Sequence, residues 1–239
     1  MKFSIIVPTR KRPVAVCELV ETIFNTCDNI DLVEVLFYID PDDSDSKSCI
    51  ISLIDKYGDN IKYTSSNEEL KLSQMWNYAY NTLSTGDIIM LCGDDARFRT
   101  KSWDTLIRDE FLKQDDRIVL VYGDDMIQGA GLATHSFVHR KWIEVSGFWL
   151  PPYFCSDWVD TWLFTVSQIL NRVKFLPDVI TEHMHYSVGK SAFDSTTEKR
   201  LNMSSKENPT LIYEQTLNER FEHANKLQQY IDQYAAAQS

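Results

Sequence analysis

The run Gly86-Asp87-Ile88-Ile89-Met90-Leu91-Cys92-Gly93-Asp94-Asp95 is apolar from Ile88 to Cys92 and then stops at two adjacent carboxylates. Apolar residues bounded in this way read as a central strand. Acids at the carboxyl end of such a strand sit where open α/β sheets bind their ligands. Paired there, they suit a hard divalent cation and the diphosphate of a nucleotide. A second stretch, Val119-Leu120-Val121-Tyr122-Gly123-Asp124-Asp125, has the same form. The first ranks ahead of it, because its buried run is longer and it leads into Arg97-Phe98-Arg99.

Working outward, Phe3 to Val7 reads as a strand and Pro8-Thr9-Arg10-Lys11-Arg12 as the loop at its carboxyl end. Pro13 suits the first turn of a helix, whose buried face is Val16, Leu19, Val20, Ile23, Phe24 and Cys27. Val33 to Ile39 forms the next strand and ends in an acidic loop, where Asp42, Asp43 and Asp45 are turn and cap residues. A helix through Cys49, Ile50, Leu53, Ile54 and Tyr57 stops at Gly58. Ile61 to Thr64 is a short strand, and Ser73 caps a helix bearing Met75, Trp76, Ala79, Tyr80 and Leu83. This alternation predicts an α/β fold with a mostly parallel sheet covered on both faces.

Beyond Asp95 follow a helix from Trp103 to Leu112 and a strand from Ile118 to Tyr122. The chain then loosens into a segment rich in aromatics, Gly and Pro, as substrate-binding or lid regions do. Tyr213, Leu217, Phe221, Ala224, Leu227, Ile231 and Tyr234 recur at helical spacing and predict a terminal helix of about six turns. It is expected to pack on its own domain, ahead of a dimer seam, with Ala235 to Ser239 as a frayed tail.

The chain has 239 residues, 35 acidic against 24 basic, for a formal charge of -11. That balance opposes non-specific attraction to nucleic acid or to an anionic membrane. Arg97, Arg99, Lys101, Arg140 and Lys141 are candidates for a local basic track. Cys17, Cys27, Cys49, Cys92 and Cys155 lack CxxC spacing and fall in apolar patterns, so they read as reduced core thiols in a cytoplasmic protein. No stretch approaches the roughly 18 apolar residues of a membrane span. His135 and His139 stand four apart without an accompanying acid, and Gly129-Ala130-Gly131 lacks the context of a dinucleotide fingerprint.

The order of these features resembles the GT-A fold glycosyltransferases, and within them glycosyltransferase family 2. The matching pieces are Ser4 to Arg10, the strand ending in Asp40, the strand ending in Asp94-Asp95, Gly147-Phe148 before Ser156 to Leu163, and Glu182-His183-Met184-His185. Together they span about residues 1 to 190. The resemblance implies a Rossmann-like sheet in one domain: a nucleotide-sugar half over 1–125, an acceptor half over 126–190, and a C-terminal helix over 205–235. It further implies a nucleotide-sugar donor, a UDP-sugar first, with Mn2+ or Mg2+ as cofactor and a hydroxyl acceptor such as a glycan or a modified nucleobase in DNA.

Residue by residue, the resemblance assigns the donor nucleotide to Pro8, Thr9, Arg10, Arg12 and Asp40, with Asp94 at the ribose. The metal falls to Asp95 with His183 or His185, and the acceptor-side carboxylate to Asp160, with Asp157 as the alternative. The family usually has an acid where Cys92 or Gly93 stands, and Ser156 replaces the first acid of its Glu-Asp pair. Cleaving a sugar from a diphosphate leaves negative charge on oxygen, which a divalent cation stabilises. The incoming hydroxyl must lose a proton, and a carboxylate within about 3 Å accepts it. A base opposite the leaving group implies single displacement with inversion. Arg97, Arg99 and Lys101 are candidates to steady phosphate, and Trp149, Tyr153, Phe154, Trp158 and Trp162 to stack on a sugar or base. Two other classes compete: a silent nucleotide- or sugar-binding module, and a nucleotidyltransferase. The second is disfavoured because the loop after the first strand has no glycine.

Overall fold

The computed structural model describes residues 1–238 of the chain. Its first half follows the predicted alternation. Strand β1 (Phe3–Thr9) leads to helix α1 (Pro13–Thr26), β2 (Val33–Ile39) to α2 (Ser44–Tyr57), and β3 (Ile61–Thr64) to α3 (Leu72–Leu83), before β4 (Ile88–Leu91). Asp43 caps α2 by accepting from Ser46 N, and Gly58 ends it at φ 61, where a side chain would be strained. Ser73 does not cap α3. It is buried one residue inside the helix and its hydroxyl donates to Phe154 O at 3.0 Å.

The second half is β5 (Ala96–Phe98), α4 (Trp103–Leu112), β6 (Leu120–Asp124), β7 (Ser136–His139), α5 (Arg140–Ser146), α6 (Val159–Ile169) and β8 (Val173–His183). Three further helices follow: α7 (Ser195–Glu207), α8 (Pro209–Gln215) and α9 (Leu217–Gln238). The sheet order is β3-β2-β1-β4-β7-β6-β8-β5. From β3 to β4 every pairing is parallel, whereas β7 runs antiparallel to both β4 and β6, β8 is parallel to β6, and β5 antiparallel to β8. The sheet is therefore mixed beyond β4.

Alternate residues of the central strands feed two cores. Phe3, Ile5 and Val7 of β1 and Ile88 and Met90 of β4 join α1, α2 and α4 on one face. Ile6, Ile89 and Leu91 join α3, α5, α6 and α9 on the other. Trp76 of α3 ties the two strands together, its Nε1 donating to Ile6 O and Cys92 O.

Two terminal expectations change. The C-terminal stripe is broken at Thr216, whose hydroxyl donates to Ile212 O and competes with the backbone ladder. Arg220 donates to the Tyr213 carbonyl at 2.6 Å and lies over the Tyr213 ring. The tail through Gln238 is helical rather than frayed. Ala224, Leu227 and Ile231 of α9 are buried in the chain's own core, as the reading that favoured internal packing expects. The cysteine reading also changes: Cys17 of α1 and Cys49 of α2 face each other across the helix pair and form a disulfide, while Cys27, Cys92 and Cys155 are free. Among the described residues, no helix is long and apolar enough to cross a membrane.

Candidate functional site

The carboxyl ends of β1, β2 and β4 open into a cleft of about 490 Å³. Pro8, Thr9, Arg10, Arg12, Asp40, Asp94, Asp95, Asp157, Asp160, His183 and His185 all line it. The fold thus brings to one place every residue that the resemblance assigned to donor, metal or acceptor carboxylate, although they span 178 positions of the chain from Pro8 to His185, counted inclusively.

Asp94 and Asp95 are adjacent but do different things. Asp94 is 4% exposed and both its oxygens are engaged: Oδ2 accepts from Thr9 Oγ1 at 2.8 Å and Oδ1 from Arg12 Nη1 at 2.9 Å. Burial pushes its carboxyl up to about 6 in spite of the Arg12 charge. Arg12 also holds Asp194, the cap of α7, at 2.7 Å. Asp95 points instead at His183, with Oδ2 3.3 Å from Nε2. Burial alone would raise Asp95, but the bond and charge of His183 outweigh it and hold the carboxyl below its usual range, while the same contact raises His183. A Cβ on Gly93 would come within 2.6 Å of Asp95 Oδ1, so an acid at position 93 is incompatible with this placement of Asp95.

A third group completes the cluster. His135, immediately before β7, offers a ring nitrogen to the same small space, and ligand atoms of Asp95, His135 and His183 all lie within 4.8 Å of one another. The acid missing beside His135 in sequence is supplied by Asp95 in space. Burial pushes His135 down to about 4, so its imidazole is neutral near pH 7, as a ligand must be. Its Nδ1 lies 3.4 Å from Thr181 O, which leaves Nε2 toward the cleft. His185 lines the cleft as well, but its Nδ1 faces Ser187 Oγ at 2.7 Å. It caps the short turn Tyr186–Val188. His139 lies at the far end of β7 and caps α5.

Asp160 occupies the first turn of α6, which starts after Trp158, a residue held at φ 78 and stacked on Tyr213 of α8. Its Oδ1 accepts from Thr161 N at 2.7 Å. Burial pushes its carboxyl up to about 6, above the reach of the Thr161 bonds that oppose it. Asp157 is half-exposed and paired with Arg200 at 2.8 Å.

No family model matches the chain, and no curated protein matches it in sequence. Solved structures do match. TarS 1-349 of S. aureus superposes with a TM-score of 0.59 at 17% identity, over 76% of this chain and 59% of that one. The mannosyltransferase PcManGT from Pyrobaculum calidifontis, in complex with GDP-Man and Mn2+, gives 0.61 at 17% identity, over 79% and 58%. GalNAc-T7 with UDP, GalNAc and Mn2+ gives 0.64 at 8% identity, over 76% and 43%. The chain has the GT-A fold. It spans less than two thirds of the length of each of these three structures.

Within this GT-A fold several side chains lie elsewhere than their sequence suggested. Trp149, Phe154 and Trp162 are core residues, at most 2% exposed, and offer no face to a sugar; Trp158 does reach the cleft. The basic residues proposed as a track are each engaged locally. Arg97 is buried and donates to the Asp94 and Ala96 carbonyls, Arg99 pairs with Glu182, Lys101 meets Asn25 O, Arg140 donates to Gly86 O, and Lys141 pairs with Glu144.

The GT-A cleft also gains residues that the sequence did not reveal, above all from α7. Thr196 donates to Arg10 O, Lys199 lies 3.6 Å from Asp40, and Arg200 meets Asp157, so this polar helix straps the Arg10 and Asp40 side of the cleft to the Asp157 side. Asp40 itself is paired with Arg10 at 2.8 Å. Only Thr197 of α7 is buried, which is why no apolar stripe marked the helix as part of the site.

Proposed function

We propose that the chain is a glycosyltransferase that moves a sugar from a nucleotide-sugar donor to an acceptor hydroxyl with inversion, using a divalent metal. The observation that carries this reading is one GT-A cleft holding both a cation-type cluster (Asp95, His135, His183) and a carboxylate raised by burial (Asp160). Support comes from four matched structures, TarS 1-349 with UDP and with UDP-GlcNAc, PcManGT with GDP-Man and GalNAc-T7 with UDP, the last two also with Mn2+.

The donor set fits such an ion. One carboxylate with two imidazoles suits Mn2+ better than Mg2+, which prefers an all-oxygen shell. In this reading Asp95, His183 and His135 hold the ion, and His185 is a neighbour of that set. When bound, the ion stabilises charge on the departing diphosphate. Asp160 takes the proton of the attacking hydroxyl. Asp40 and Arg10, paired with each other in the structure, face the nucleoside, with Pro8 and Thr9 beside them. Asp94 fixes Arg12 and Thr9 and thereby the loop that receives the nucleotide. The portion 1–125 serves the donor nucleotide, 126–190 carries the acceptor carboxylate together with the two histidines of the metal set, and a UDP-sugar is the first donor to try.

The test is calorimetric titration of the protein with UDP, GDP, dTDP and CDP, each with and without Mn2+, followed by NMR of the anomeric proton of any transfer product. Metal-dependent binding of one nucleotide and an inverted product are expected. A retained anomer removes the single-displacement mechanism, and absence of binding by all four removes the donor assignment.

A further inference from the structure

The second Gly-Asp-Asp, residues 123 to 125, has no part in the proposed transfer step, yet it ends beside His183, the histidine that faces Asp95. We infer that Asp125 is a positioning residue that holds the His183 ring in the orientation in which its Nε2 and the Asp95 carboxylate meet one cation. The inference rests on the metal-dependent reading of the cleft.

Asp125 is 2% exposed, and its two oxygens divide their work. Oδ1 accepts from the backbone N–H groups of Ile127, Gln128 and Gly129 at 2.9, 2.6 and 3.2 Å, which folds the loop that leads to His135. Oδ2 accepts from Thr134 Oγ1 at 2.9 Å and lies 3.9 Å from His183 Nδ1. On its other side the same ring presents Nε2 to Asp95 at 3.3 Å. The imidazole therefore stands between two carboxylates, one at each nitrogen. At 3.9 Å the Nδ1 contact is longer than a hydrogen bond, and in this structure Asp125 acts on the ring through its charge. The main chain already fixes this pairing, since His183 N donates to Asp125 O at 3.0 Å and Met184 N to Asp95 O at 2.8 Å.

A carboxylate behind a ligating histidine sets its tautomer, so that Nδ1 keeps the proton and Nε2 presents a lone pair, and it raises the basicity of the ring. One residue thus acts on two imidazoles: on His183 through its charge, and on His135 through the loop it folds. Gly123 lets the strand carry this acid so close, because a Cβ there would meet the Val179 carbonyl of β8 at 2.1 Å.

The experiment is titration of the metal-free protein with Mn2+ alone, reading free Mn2+ by electron paramagnetic resonance. Asp125→Asn keeps an oxygen for the three loop N–H groups while removing the charge. It is expected to weaken Mn2+ binding by about 10- to 100-fold, the usual cost of losing such a partner, with an unchanged circular dichroism spectrum. Thr134→Val removes one bond to Oδ2 but leaves the charge and the three backbone bonds that fold the loop, and should bind Mn2+ nearly as the parent does. Parent-like affinity in Asp125→Asn overturns the inference, as does an equal loss in Thr134→Val, which would make Asp125 a loop scaffold only. If the parent protein itself binds no Mn2+, the metal reading falls and this inference with it. Should Asp125→Asn not fold, the parent loaded with diamagnetic Zn2+ answers the same question: a slowly exchanging Nδ1 proton on His183 is expected, and its absence overturns the assignment.

Discussion

A carboxylate that must take a proton from a hydroxyl works only when ionised, and the burial that makes Asp160 a better base also sets the pH at which it functions. Its carboxyl is raised from 3.8 to about 6, chiefly by desolvation. In the proposed mechanism kcat/KM therefore rises with pH up to about 6 and levels off above it. Asp94 is raised to the same region, so Asp94→Asn separates the two: the acid limb survives that change if Asp160 owns it. Asp160→Asn should lower kcat by about 10²- to 10⁴-fold while nucleotide affinity holds, measured by initial rates beside calorimetry. Glu34 shows the opposite electrostatics far from the cleft. It is fully buried, and its desolvation is outweighed by bonds from Lys2, Ser4 and Thr85, which bring it down to about 2. Because its folded value lies below its ordinary one, its contribution is full above pH 4.5 and is lost as pH falls through about 2. Urea unfolding should find Glu34→Gln less stable at pH 7 by on the order of 3 kcal/mol, with the gap narrowing at acid pH.

At the scale of elements, β6 and β8 come together where Gly123 has no side chain and where the register slips between Gly123 and Asp124. Gly123→Ala puts a methyl against the Val179 carbonyl, backbone that has no rotamer to change. A loss of about 1–3 kcal/mol is expected in chemical denaturation, the range of overpacked sites, and a parent-like midpoint would show that the pair can part there. The same strand pair marks where sequence stops being informative. Strands β1, β2 and β4 were legible as continuous apolar runs buried on both faces, and helices α1, α2 and α4 because each buries one apolar face; Asp40, Asp94 and Asp95 stand at the strand ends. Strand β8 was not, because Val173–His183 carries Lys174, Pro177, Asp178 and Glu182 and is largely half-exposed, so no alternation survives. His135 was missed for a related reason. Its partners arrive from β4 and β8, and no spacing within a single segment records that meeting. Helix α7 meets the cleft mainly through ion pairs and hydrogen bonds, and polarity without an apolar stripe reads as a solvated face.

Across the whole molecule, the cleft is held together by opposite charges that a ligand would have to rearrange. Arg10 is paired with Asp40, Arg12 with Asp94 and Asp194, Lys199 with Asp40 and Glu69, and Arg200 with Asp157. With a net charge of -11 around it, such a cleft gains little for a bare nucleotide diphosphate, whose own negative charge is repelled unless a cation enters with it. Donor and metal should therefore bind as a pair, and their joint effect appears in the stability of the entire fold, since the unfolded chain has neither site. Ligand at about 100 times its dissociation constant adds about 2.7 kcal/mol to the folded state. In a chain of this length each kcal/mol raises the melting temperature by roughly 2–4 °C. UDP with Mn2+ should then raise the midpoint by about 5–10 °C, whereas UDP in EDTA should leave it near that of the protein alone. An equal rise in EDTA would mean that Arg10, Arg12, Lys199 and Arg200 neutralise the diphosphate by themselves, and the Asp95, His135 and His183 cluster would lose its part in donor binding.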